Sequence, residues 1–163
     1  MASSSFYKFN QFVEDLGNAL HNFDTDSIMV LLTNTMPNVA DTICDTSVSP
    51  CVIKSTSNAV EIAPASGYTK KGLAIGTPVW AQVSGVAKFY GVKVLWTAAA
   101  SIGPFRYAVF FNDSKGAAAT RPLIGWYDYG SPGITLGVGE TFSVGNSNDG
   151  TDWTVTYPIC SVT

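Results

Sequence analysis

The chain reads as mainly β: an antiparallel β-sandwich or jelly-roll-like domain of about eight strands behind one N-terminal amphipathic helix. Three observations predict it. Beyond residue 26, apolar residues come in short runs or alternate with polar ones, and clusters of Gly, Pro, Asn and Asp separate them. Only one stretch, near the N-terminus, carries a 3.6-residue period. Charged residues make up 13%, about half the usual share of roughly 25%. Ser and Thr, sixteen of each, fill the gap, and hydroxyl side chains suit half-exposed strands. At 163 residues, with no repeat and no domain-scale linker, the chain is most simply a single domain spanning 1–163.

The helix comes first. Ser5 precedes FYKFNQFVEDLGNALHNF, where Phe9, Phe12, Val13, Leu16 and Leu20 form one stripe. Lys8, Gln11, Glu14, Asp15 and Asn18 take the other face. The spacing predicts a helix over 7–21 whose stripe packs on a sheet or a neighbouring subunit.

The β-rich body spans 27–163. SIMVLLT at 27–33 is continuously apolar, as expected of a strand buried on both faces. The stretch that follows, NTMPNVADTICDTSVSPC, reads as a long loop over about 34–52. Residues 60–62 give a short strand before the turn-forming GYTKKG. A hairpin is expected from 79–83 and 87–97, joined near Ser84-Gly85, with Tyr90, Val92, Val94 and Trp96 on one face. Residues 106–111 and 123–129 form the next pair; Pro104 precedes the first, and Gly130, Pro132 and Gly133 follow the second. Short strands are expected at 134–136 and 141–144. After a turn at 146–152, Trp153, Val155 and Tyr157 alternate on a last strand.

The stretch 102–130 concentrates the distinctive residues: Tyr107, Phe110, Phe111, Trp126, Tyr127 and Tyr129. Core packing is the expected use of these rings. Alternation puts Tyr127 and Tyr129 on one face and Trp126 on the other, an exposed platform of two members at most. Asp128 sits between two tyrosines inside a strand. A buried, unpaired charge is costly, so a structural ion pair between Arg106 and Asp128 is expected.

Several function classes lack their chemistry. Net charge is −3, and among nine Lys and Arg the only adjacent pair is Lys70-Lys71; no basic patch suggests a nucleic-acid partner. No run approaches the roughly 20 apolar residues of a membrane span, and the N-terminus lacks the apolar core of a secretion signal. Synthesis and folding in a cytoplasm are the expectation. Cys44, Cys51 and Cys160 are odd in number and lack CxxC spacing, and there is one histidine, so neither a metal nor a cofactor is expected. The three thiols are read as reduced and structural, with a small loop closed by Cys44 and Cys51 as the alternative under oxidising conditions. His21 is expected to be a solvated helix-end residue, not a base. With no GxSxG motif and no facing carboxylates, the chain is not expected to be an enzyme, and no catalytic residue is assigned.

Five segments carry a resemblance: MASSSFYKFNQFVEDLGNALHNF, LLTNTMP, WTAAASIGPFRYAVFFND, RPLIGWYDYG and GETFSV. In this order they resemble a family of small virion structural proteins of tailed bacteriophages and prophages. The likeness touches both ends and most of the middle, and departs at the Cys-containing stretch 42–53 and the tail 146–163. It implies a non-enzymatic virion component assembled in the host cytoplasm. Among virion roles, a small, β-rich, charge-poor chain fits a capsid cement or decoration protein that binds the major capsid protein at many sites and gains by avidity. That role implies a homo-oligomer, with a trimer favoured. The gripping residues would be Phe6, Tyr7 and Phe9 of the helix region or Met36, Pro37 and Val39 of the long loop. The alternative is a tail, neck or fibre-associated virion protein that recognises host glycans through Trp126 and Tyr127.

Overall fold

The computed structural model describes residues 5–65, 67–83 and 85–145. In chain order the first half contains β1 (Ser5–Lys8), α1 (Asn10–Gly17), β2 (Ile28–Thr33), β3 (Ile43–Asp45), β4 (Val52–Lys54), β5 (Ala59–Val60) and β6 (Leu73–Ala74). The second half adds β7 (Gly76–Val83), β8 (Val86–Val92), β9 (Val94–Thr97), β10 (Ile102–Phe105), β11 (Tyr107–Asn112), β12 (Arg121–Asp128), β13 (Ile134–Leu136) and β14 (Thr141–Val144). The protein is mainly β, sandwich-like and antiparallel, with one helix near its N-terminus. Five of the fourteen strands among the described residues have only two or three residues. Of these, β3, β4 and β6 were not expected, because pieces so short show no period; β1 and β10, with four residues each, were also not expected, and the 87–97 strand divides into two.

The apolar runs dictate the centre. Every residue of β11 is buried, as are residues 122–126 of β12, and strands apolar on both faces must be covered on both. They lie side by side in the middle of the principal sheet, ordered β5-β4-β3-β12-β11-β2-β6. The sheet then curls. Thr33 bridges Glu61, and the Ile62 amide donates to the Leu32 carbonyl at 2.9 Å. The β5 end thereby returns to β2 and closes a ring of six strands. The smaller pairs β7/β8, β9/β14 and β10/β13 complete the core. Phe89 and Trp80 pack on Phe23, and Phe142 meets both Trp96 and Phe105.

The first two residues of the helix expected over 7–21, Tyr7 and Lys8, belong instead to a strand. Residues 5–8 pair with 125–128, placing Tyr7 opposite Trp126. The exposed edge of β12 offers these backbone groups ready partners, and Phe6 and Tyr7 fall on opposite faces as strand residues must. Phe6 meets Phe110 and Tyr127, whereas Tyr7 stacks on Trp126. The helix runs only over Asn10–Gly17; Ala19 beyond it is left-handed, at φ 55°. Its buried line is Phe12 and Asp15, and Val13 is 52% exposed.

The 34–52 loop also holds more order than expected. β3 lies within it, pairing with Arg121 and Pro122 of β12 where β1 has ended, and turns back into β4. In the 87–97 segment the alternation breaks at Lys93. Phe89 is buried before the break, Val94 and Trp96 after it, and Tyr90 and Val92 are only half-buried. The cause is a change of partner: β8 pairs with β7, but β9 pairs with β14. The turn and strand expected at 146–157, and Cys160, lie outside the described residues.

Candidate functional site

One surface cleft, of about 460 Å³, collects residues from four separate segments. β1 contributes Tyr7, and β12 contributes Trp126 and Asp128. The loop after β2 brings Met36, Pro37, Asn38 and Val39; the turn between β4 and β5 brings Thr56 and Ser57. Tyr7 is cross-strand partner to Trp126, and their rings stack with centroids 5.5 Å apart and planes at 20°. Trp126 is buried, but Tyr7 is 45% exposed. The visible aromatic surface is therefore the outer face of Tyr7.

The walls are held by one carboxylate. Asp41 is fully buried and accepts from the amides of Asn38 (2.8 Å), Thr56 (2.7 Å) and Ser57 (2.8 Å) and from the Ser57 hydroxyl. Burial pushes its pKa up, but these hydrogen bonds more than offset that and hold Asp41 below the usual carboxylate value. The Ser57 hydroxyl also accepts from the Ala59 amide at 3.1 Å. On the helix side, the Asn10 amide donates to the Val39 carbonyl at 2.9 Å. Both loops are thus fixed before any ligand arrives.

At the floor's edge, Arg106 and Asp128 meet in a bidentate pair. Nε to Oδ1 and Nη2 to Oδ2 are each 2.7 Å. Oδ1 also accepts from the Gly130 amide at 2.8 Å. The Arg106 hydrogen bonds, opposed by burial and helped by Gly130, keep Asp128 below the ordinary range. The pair is partly solvated, not sealed in the core, because both residues lie at the rim of the sheet. The guanidinium also lies 5.0 Å from the Tyr107 ring centre.

Of the eight residues expected to contact partners, five line this cleft: Tyr7, Met36, Pro37, Val39 and Trp126. The other three do not. Phe9 is fully buried. Phe6 and Tyr127 pack edge-to-face on the opposite side of the sheet, where burial pushes the Tyr127 phenol up to about 12. Asp41, Asn38, Thr56 and Ser57 were not singled out in the sequence. Asp and Ser in a loop rich in both carry no signal of which one turns inward.

His21 is also not the solvated residue expected at a helix end. It is buried between Phe12 and Phe23. The Asn112 carbonyl oxygen accepts from the Ser114 amide, so its NH2 group faces His21 Nδ1 (3.1 Å) and Asp26 Oδ2 (2.8 Å). The ring proton then belongs on Nε2, which has no hydrogen-bond partner among the described residues and sits 3.9 Å from Asp15. Burial lowers the His21 pKa, Asp15 and Asp26 oppose this, and Lys115 adds to it.

A second buried cluster is structural in character. Glu61 accepts from the Tyr68 hydroxyl (2.8 Å) and the Cys51 amide (2.9 Å), and Tyr68 in turn accepts from the Leu32 amide (2.9 Å). These bonds tie the point where the sheet closes. Cys44 and Cys51 are free and buried. Burial, then Glu61, pushes the Cys51 thiol up to about 12, and burial raises Cys44 well above its usual value. Among the described residues no cluster of His, Cys, Asp or Glu has metal-site geometry. No helix among them is long and apolar enough to cross a membrane.

No protein-family model, curated protein or solved structure matches the chain.

Proposed function

We propose that this chain is a non-enzymatic structural protein of a tailed-phage virion, and within the virion a capsid cement or decoration protein. It binds the major capsid protein at many sites as a homo-oligomer, with a trimer favoured, after assembly in the host cytoplasm. The observation that carries this reading is the placement of exposed apolar side chains on a charge-poor surface. They come from elements spread along the chain. Val13, Val48 and Val60 project from the helix, the β3–β4 turn and β5; Val79, Leu95 and Val138 project from β7, β9 and the turn before β14. A protein that cements a shell must engage several neighbours, and exposed apolar side chains on many different elements suit that task. The segment order that resembles virion proteins supports the same role.

The cleft favours the other virion reading, a tail, neck or fibre-associated component, because such proteins meet the host surface. Quantitative composition of purified particles decides between them. A cement protein is present in hundreds of copies and remains on DNA-filled heads that lack tails. A handful of copies, absent from isolated heads, overturns the cement reading.

A further inference from the structure

We propose that the Tyr7 cleft is a binding site for a neutral saccharide. The inference concerns the cleft alone and goes beyond the assembly role: particle copy number tests that role, and ligand binding tests this site.

Four features point to this ligand class. The first is the platform. Tyr7 has one ring face stacked on Trp126, yet is 45% exposed. Its plane is already fixed, so packing the apolar C–H face of a pyranose on it costs little further ordering. The second is the rim. Asn38 Oδ1 accepts from the Ala40 amide at 2.9 Å, which turns its NH2 group outward as a donor. That group, the Thr56 hydroxyl and the Tyr7 hydroxyl have no hydrogen-bond partner among the described residues, and all three residues line the cleft. Groups that donate, and hydroxyls that both donate and accept, match the hydroxyls of a sugar.

The third feature is charge. Asp128 is the only lining carboxylate among the described residues, and Arg106 and Gly130 already occupy it. The described lining residues therefore offer neither a free cation to an acidic sugar nor a free anion to a basic ligand. The fourth is rigidity combined with size. Asp41 holds both polar walls, and a volume of about 460 Å³ lies in the range of preformed small-ligand sites. An apolar peptide would use Met36 and Val39 but leave the three outward polar groups to water. A saccharide uses both kinds of surface.

The test uses the full chain and a panel of neutral tetrasaccharides built from glucose, galactose, mannose and N-acetylglucosamine. Binding is read by saturation-transfer NMR and by calorimetry. At least one member should bind saturably with a Kd on the order of 1 mM or tighter. Tyr7→Ala should weaken it about tenfold or more. Tyr7 also covers Trp126, so exposed Thr56 provides a variant that leaves the fold intact. Thr56→Val should weaken binding roughly three- to tenfold with unchanged melting temperature; Asn38→Ala should weaken it similarly and melt slightly lower, because it also removes the Asn38 Oδ1 hydrogen bond from the Ala40 amide. A sialylated tetrasaccharide should bind more weakly than the neutral ones. The proposal is overturned if no neutral member binds saturably by about 20 mM, well above the expected Kd, or if binding survives Tyr7→Ala. It is equally overturned if a hexaproline peptide occupies the cleft where no sugar does, which would make the site a protein-docking groove.

Discussion

Replacing Asp41 by alanine removes one small side chain and four hydrogen bonds. The acceptor is charged and fully buried; the donors are the amides of Asn38, Thr56 and Ser57 and the Ser57 hydroxyl. Hydrogen bonds to a charged group contribute about 1.5–3 kcal/mol each when fully buried. Here Asn38 and Thr56 are exposed and Ser57 is half-buried, so water rehydrates much of what is freed. About 1 kcal/mol per bond is the appropriate figure, giving a loss of roughly 3–4 kcal/mol. At about 2–4 °C per kcal/mol for a chain of this size, the melting temperature should fall by roughly 6–16 °C. Asp41→Asn keeps an acceptor for Thr56 and Ser57 but turns an NH2 group toward the Asn38 amide, and should lose about half as much.

Thermal unfolding followed by circular dichroism at neutral pH measures both losses. A pH series adds a sign check. The folded pKa of Asp41 lies below its usual 3.8. Its contribution is therefore present in full above that value and lost as pH falls through the lower, folded pKa. The gap between wild type and Asp41→Ala should be constant from pH 7 to about pH 5 and narrow below pH 4. Hydrogen exchange at the Thr56 and Ser57 amides should quicken in the variant, while amides of β11 and β12 keep their protection. An alanine variant that melts within about 2 °C of wild type, or a gap that widens in acid, would refute the clip.

Three other outcomes follow from particular contacts. A Cβ on Gly125 would lie 2.4 Å from the Tyr7 carbonyl oxygen and 2.4 Å from Phe6 Cζ, so Gly125→Ala should cost about 2–3 kcal/mol, read by chemical denaturation, with β1 the first element to lose protection. The folded pKa of His21 is lowered, chiefly by burial; the unfolded chain then takes up its proton first, and stability should fall as pH drops below about 6.5. Replacing His21 by Gln should flatten that part of the curve, and an unchanged slope would count against the assignment. Cys44 and Cys51 are buried with raised pKa values, so a thiol-specific disulfide reagent at pH 8 should modify at most one of the three cysteines in the native chain and all three in denaturant; rapid reaction of two or more native thiols would contradict their burial.

What the sequence makes legible is what short-range pattern can encode. β11 and β12 announce themselves because their apolar runs have full strand length and are bounded by Pro104 on one side and Gly130 on the other. The β7–β8 hairpin is visible through Ser84-Gly85, and the Arg106–Asp128 pair through the cost of a charge set between two tyrosines. β1 is hidden for the opposite reason. Four residues hold only two turns of alternation, and the helical stripe beginning at Phe9 extends its apparent period back over them. Only the open edge of β12, a long-range partner, decides in favour of a strand. The cleft is less legible still. Tyr7 reads as a helix residue, Trp126 as core and Thr56 as loop, and each description is locally reasonable. They become one site because β12 has a flank long enough for two partners: β1 pairs with its end and β3 with its start. That shared flank sets Tyr7 over Trp126 and brings the β3–β4–β5 unit, with Thr56 and Ser57, alongside. Asp41 then fixes the distance between them. The site is thus a property of how one strand divides its edge, and mutations that shorten either partner should disturb the cleft before they disturb the core.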